Sequence, residues 1–171
     1  MRLSLPFAFV AASLLSAASP ATAARVAANP PATANALLIK PLTFFKLDDM
    51  DFAMLAAPAA GTAVIDPNSN TMTTTGGVVA VSGTPHAAQF QGATVSSSVV
   101  NIKVPVGSVT LTRQGGTETM TVSNFTVEGT SKRVLAARQV FTFRVGGTLN
   151  VAANQVEGLY SGTFDVTVQY P

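Results

Sequence analysis

Tyr160-Ser-Gly-Thr-Phe-Asp-Val-Thr-Val-Gln-Tyr170 alternates with a period of two. Tyr160, Gly162, Phe164, Val166, Val168 and Tyr170 fall on one face, and Ser161, Thr163, Asp165, Thr167 and Gln169 on the other. Successive side chains of a strand leave opposite faces, so the spacing predicts one long half-buried strand. Just upstream, Phe141, Phe143 and Val145 alternate with Thr142 and Arg144. Gly146-Gly147 then reads as a turn, and Leu149 and Val151 continue the apolar face, which predicts a hairpin. A second hairpin is expected around Gly115-Gly116, joining Val109 and Leu111 to Met120 and Val122. Val100, Ile102 and Val104 predict a further strand, closed by Pro105. Gly76-Gly77 is read as a turn like the other Gly pairs. Helix is scarce: Asp48 to Ala60 offers a turn or two, ended by Pro58. Runs of Val, Thr and Phe punctuated by Gly or Pro predict an all-β antiparallel sandwich over residues 36–171.

At the other end, Arg2, the apolar run Leu3 to Leu15 and the small-x-small end Ala21-Thr22-Ala23 predict a cleaved secretory signal peptide over residues 1–23. A second such site, Ala32-Thr33-Ala34, leaves the cut position open. The run is shorter than the roughly 20 apolar residues that span a bilayer, so no transmembrane segment is expected in the mature chain. The expected location is the periplasm, then the cell surface or extracellular space. Residues 24–35, with small side chains and Pro30-Pro31, read as a flexible N-terminal extension.

Composition narrows the function. The 171 residues contain no Cys, which excludes disulfides, thiolate metal sites and a Cys nucleophile. Charged residues make up 11%, against about 25% in an average domain. Ten Lys and Arg face eight Asp and Glu, and with Arg2 in the leader nine remain, scattered rather than clustered. Nucleic acid is therefore not an expected partner.

No motif assembles catalysis. Asp48, Asp49 and Asp51 form the only carboxylate cluster, read as a solvated edge or turn with Asp49 and Asp51 on one face. Asp66-Pro-Asn-Ser-Asn70 begins like a calcium loop, but Thr71 stands where Gly is needed and Gly77 where Glu is needed, so turn chemistry is the expectation. His86 is the one histidine and is expected on the surface or in a structural hydrogen bond. Ser97 and Ser98 lack a nucleophile elbow. Asn124-Phe125-Thr126 matches a glycosylation sequon, with Phe125 at core spacing. The chain reads as non-enzymatic, without metal or cofactor.

Val145-Gly-Gly-Thr-Leu-Asn-Val151, Gly158 to Tyr170, Pro41-Leu-Thr-Phe44, Leu47-Asp-Asp-Met-Asp-Phe52 and Gly76-Gly-Val78 resemble a Gram-negative secreted family known as domain of unknown function four-four-zero-two. Ala53 departs from that family, which often has Gly after Asp-Phe. The C-terminus also resembles subunits of chaperone–usher pili: Tyr170 is penultimate, and Gly158 is fourteenth counting back from Pro171. This implies an immunoglobulin-like, pilin-like sandwich lacking a strand, completed by β-augmentation. It also implies a periplasmic chaperone, an outer-membrane usher and copies of the chain itself as partners. Gly158, Tyr160, Phe164, Val166, Val168 and Tyr170 would border the acceptor groove, with a donor strand within residues 24–39. The absent disulfide and the terminal Pro171 depart from many such subunits. The alternative is a self-sufficient immunoglobulin-like binding module, secreted or periplasmic.

Overall fold

The computed structural model describes residues 42–171. The expected signal peptide, N-terminal extension and donor strand lie outside them. The described chain is an all-β antiparallel sandwich of immunoglobulin-like type, with no helix among the described residues. Its strands are β1 (Leu42–Asp48), β2 (Met54–Ala56), β3 (Gly61–Asp66), β4 (Thr71–Gly76), β5 (Val79–Ser82), β6 (Ala88–Thr94) and β7 (Ser98–Lys103). They continue as β8 (Val109–Arg113), β9 (Thr119–Val127), β10 (Lys132–Leu135), β11 (Val140–Val151), β12 (Tyr160–Ser161) and β13 (Thr167–Gln169).

The larger sheet runs β1-β6-β11-β9-β8-β12, with β3 and β4 joining it through β11. The smaller sheet is β10-β7-β13, and β2 and β5 form a separate ribbon. Between the two main sheets, Phe90, Phe141, Phe143, Val145 and Leu149 share one buried cluster with Val100, Ile102 and Leu135. Phe143 is fully buried, its ring stacked against Phe90 at 5.5 Å, Phe44 at 6.0 Å and Phe141 at 6.2 Å between centroids. The stack crosses three adjacent strands.

Several sequence expectations match. β8 and β9 form the hairpin around Gly115-Gly116, with Leu111 opposite Met120 and Val109 opposite Val122. β7 buries Val100 and Ile102 on one face. Three expectations need correction. Gly146-Gly147 is not a turn: β11 passes straight through it for 12 residues. There the strand exchanges β6 for β3 on one side while β9 bulges on the other, with Asn124 at φ 51°. Glycine is required for close approach, because a Cβ on Gly146 would overlap the Ile65 carbonyl oxygen and lie 2.7 Å from Pro67 Cδ.

The second correction is the C-terminal strand. It divides between two sheets: Tyr160 and Ser161 pair with Arg113 and Thr112 of β8, whereas Thr167 to Gln169 pair with Lys103 to Asn101 of β7. The alternation survives because each piece turns one side toward the core, whichever sheet holds it.

The third lies in Asp48 to Ala60, which holds no helix but an irregular turn leading into β2. Asp51 Oδ1 accepts the Ala53 N–H at 2.7 Å, and Ala53 takes φ 56°. A non-glycine residue in that left-handed region costs about 1–2 kcal/mol, partly offset in glycine by unfolded-state entropy. Ala53→Gly is therefore expected to stabilise the fold by about 0.5–1 kcal/mol, measurable by urea denaturation.

Candidate functional site

A cleft of about 850 Å³ opens onto core side chains. Phe90, Val122, Phe125 and Leu149 reach it from β6, β9 and β11. The β8–β9 hairpin adds Val109, Leu111 and Met120, and the chain after β1 adds Met50, Phe52 and Leu55. Gly158 to Phe164 forms another border. Aromatic, aliphatic and thioether groups dominate, so the cleft favours an apolar occupant and offers adaptable Met contacts.

The border segment is fastened to the hairpin. Gln114 N–H donates to the Leu159 carbonyl at 2.8 Å, and β12 pairs with β8. The Tyr160 hydroxyl donates to the Val156 carbonyl at 2.6 Å and accepts from Gln155 Nε2 at 2.7 Å. Gly158, at φ 148°, passes so close to Arg113 that a Cβ would lie 2.8 Å from Arg113 Cδ. Phe164 tilts onto Phe125, with centroids 5.0 Å apart.

Of the six residues expected to bind a partner, Gly158, Tyr160 and Phe164 line this cleft. Val166, Val168 and Tyr170 do not; they pack half-buried against the core. Among the described residues β13 is nevertheless an edge strand. Ile102 N–H donates to the Ser131 carbonyl on the β10 side, at 2.8 Å. Antiparallel partners alternate between bonded and non-bonded pairs, so Val168, opposite Ile102, directs its main-chain N–H and C=O away from β7.

Charged groups gather at the cleft mouth in a grouping that spacing along the chain could not show. Asp51 and His86 exchange main-chain hydrogen bonds at 3.0 and 2.9 Å. His86 Nδ1 donates to the Thr84 carbonyl at 2.9 Å, and its Nε2 lies 3.4 Å from Asp48 Oδ2. Lys46 pairs with Asp49. Asp48, Asp49 and Asp51 are exposed, as a turn reading expects.

The His86 imidazole is held protonated above its ordinary value of 6.5 by the Thr84 carbonyl, then by Asp48 and Asp51, against the opposing pull of partial burial. A raised folded pKa contributes stability below 6.5 that is lost as pH rises through the folded value. The melting temperature is expected to fall across that window, and His86→Asn to remove that component of the slope in a pH series of thermal melts.

The remaining motifs are structural. Asp66 Oδ1 accepts the Asn68 N–H and Nδ2 at 2.9 and 3.1 Å, and Oδ2 accepts Ser69 Oγ at 3.0 Å. These bonds lower the Asp66 pKa and occupy the oxygens a calcium ion would need. Asn68 and Asn70 reach further, accepting the Gly129 and Ala87 N–H groups at 2.9 Å. Ser98 Oγ donates to the Ser96 carbonyl at 2.6 Å. Phe125 is core, while Asn124 and Thr126 face outward. Among the described residues no His, Asp or Glu cluster could hold a metal, and no helix is long and apolar enough to cross a membrane.

No curated protein and no solved structure matches the chain. The family model "Domain of unknown function (DUF4402)" matches residues 42–170, spanning β1 through β13 and the whole cleft. By that match, the chain belongs to the DUF4402 family.

Proposed function

We propose that this protein is an exported surface-assembly subunit, fimbrial or pilus-like, that takes up an extended segment of another copy as an added strand. The observation that carries the reading is the 850 Å³ cleft opening on Phe90, Phe125 and Leu149, in a fold whose C-terminal β13 is an edge strand among the described residues. An incoming strand would supply apolar side chains to the cleft and main-chain partners to Val168 on the side of β13 that faces no other described strand. A periplasmic chaperone would hold the site before assembly, and an outer-membrane usher would direct the exchange.

The test is Val168→Pro. Proline removes the N–H that faces the open edge and leaves the β7–β13 ladder bonds of Thr167 and Gln169 in place. Assembly into larger species, read by light scattering, is expected to be lost, while the monomer's unfolding free energy changes by no more than about 1 kcal/mol. Gln169→Pro, which breaks the ladder itself, should destabilise the monomer. Normal assembly by Val168→Pro overturns the reading.

A second reading, a self-sufficient immunoglobulin-like binding module, is favoured by the completeness of the core. Phe143, Val145 and Val100 are fully buried, and among the described residues no buried side-chain polar atom lacks a partner. Such a module stays monomeric at all concentrations and uses the cleft for a small apolar ligand.

A further inference from the structure

The cleft combines an apolar interior with an acidic mouth, and the two demand different things of an occupant. Phe90, Val122, Phe125 and Leu149 call for a bulky aliphatic side chain. Asp48, Asp49 and Asp51, compensated by Lys46 and His86 alone among the described lining residues, call for a cation. In the chain before β1, residues 24–35 offer Ala, Thr, Asn, the Pro30-Pro31 pair and one cation, Arg25, whose neighbour Val26, the one branched aliphatic residue, would fall on the opposite face of a strand. Residues 36–40 read Ala-Leu-Leu-Ile-Lys. On a strand, Ala36, Leu38 and Lys40 share a face, which places an aliphatic side chain and a cation two residues apart on the same side. Pro41 follows and has no N–H to continue a ladder.

We propose that the segment entering the cleft is Ala36–Lys40 of a second copy, with Leu38 over the apolar floor and the Lys40 ammonium at the mouth formed by Asp48, Asp49 and Asp51. The assignment rests on the strand-uptake reading above and narrows it to one segment and one face. Each copy then presents its cleft to one neighbour and its N-terminal segment to another. That contact is heterologous and generates an open chain unless its rotation closes a ring. The mouth charge gives the contact polarity: an inverted segment would place Leu38 correctly but carry Lys40 away from the carboxylates.

The experiment measures self-association of the exported chain by light scattering over a concentration series. Leu38→Asp is expected to weaken association by about a hundredfold or more, because it places a carboxylate on the apolar floor. Leu37→Thr, on the opposite face, should stay within about threefold of the parent. Lys40→Glu and Asp49→Lys should each weaken association by about tenfold, and the two together should recover most of it. The Lys40 effect should shrink as salt is raised. If Leu38→Asp and Lys40→Glu associate like the parent while Val168→Pro does not, another segment fills the cleft; this assignment falls and strand uptake stands. If the parent remains monomeric throughout, or Val168→Pro associates normally, both fall together.

Discussion

Gly146→Val should leave no folded protein under conditions where Gly107→Ala melts like the parent. Both positions lack a side chain, but their surroundings differ. A Cβ on Gly146 would overlap the Ile65 carbonyl oxygen and crowd Pro67 N at 3.0 Å, whereas a Cβ on Gly107 meets nothing within 4 Å. The obstructing atoms at Gly146 belong to backbone and to fully buried Pro67, so no rotamer change can relieve them. Relief would require β3 to move away from β11, breaking the register that sets Ile65 against Gly147 and Ala63 against Leu149. Overpacking a tight core by added methylenes costs about 1–3 kcal/mol, and a clash with fixed backbone lies beyond that range. Against a typical total of about 5–15 kcal/mol, the variant should populate unfolded chain, seen as loss of the cooperative melt and rapid proteolysis. Gly146→Ala should show the same defect in milder form.

Phe143→Ala should cost about 3–5 kcal/mol, while Val140→Ala on the same strand should cost no more than about 0.5 kcal/mol. Phe143 is fully buried and touches the rings of Phe44, Phe90 and Phe141, so its removal leaves a cavity bounded by aromatics from three strands. Phe90 sits on β6, which is laddered to β1 on one side and to β11 on the other, and this limits collapse into the space. Val140 is 58% exposed, and its truncation removes little buried area. Urea titrations should show the difference as a shift in midpoint with an unchanged slope. A loss below about 1 kcal/mol at Phe143 would mean that the stack is not the centre of the core.

Legibility of the fold follows the range of the interaction that fixes each element. The β8–β9 hairpin was readable because its turn and its register lie within 20 residues, and Gly115-Gly116 marks the reversal. Gly146-Gly147 looks the same in composition and does the opposite. One signal does separate them: Phe143, Val145, Gly147, Leu149 and Val151 keep odd parity through the pair, so the face continues without a reversal. The bulge in β9 left a trace too, since Val122 and Phe125 are three apart and break the period of two. Ala53, where the resemblance expects Gly, marked the left-handed turn that the residue-by-residue reading took for helix. For the cleft, half of the expected border was legible. Gly158, Tyr160 and Phe164 line it, whereas Met50, Phe52, Met120 and Phe125 come from distant parts of the chain and carry no local sign of meeting there. The approach of His86 to Asp48 and Asp51 is of the same kind.

By itself the sequence determined that this is an all-β chain, which residues turn inward, and where the β8–β9 turn falls. Each of these depends on alternation or on a turn's own residues, and both are written into neighbouring positions. Tertiary structure alone decided that the closing stretch serves two sheets, that Gly146 is a crossing point and that the core opens into a cleft with an acidic mouth. A side chain's alternation records that it is shielded on one side; it carries no information about which strand, dozens of residues away, does the shielding. That choice is made by packing and hydrogen-bond closure over the whole domain.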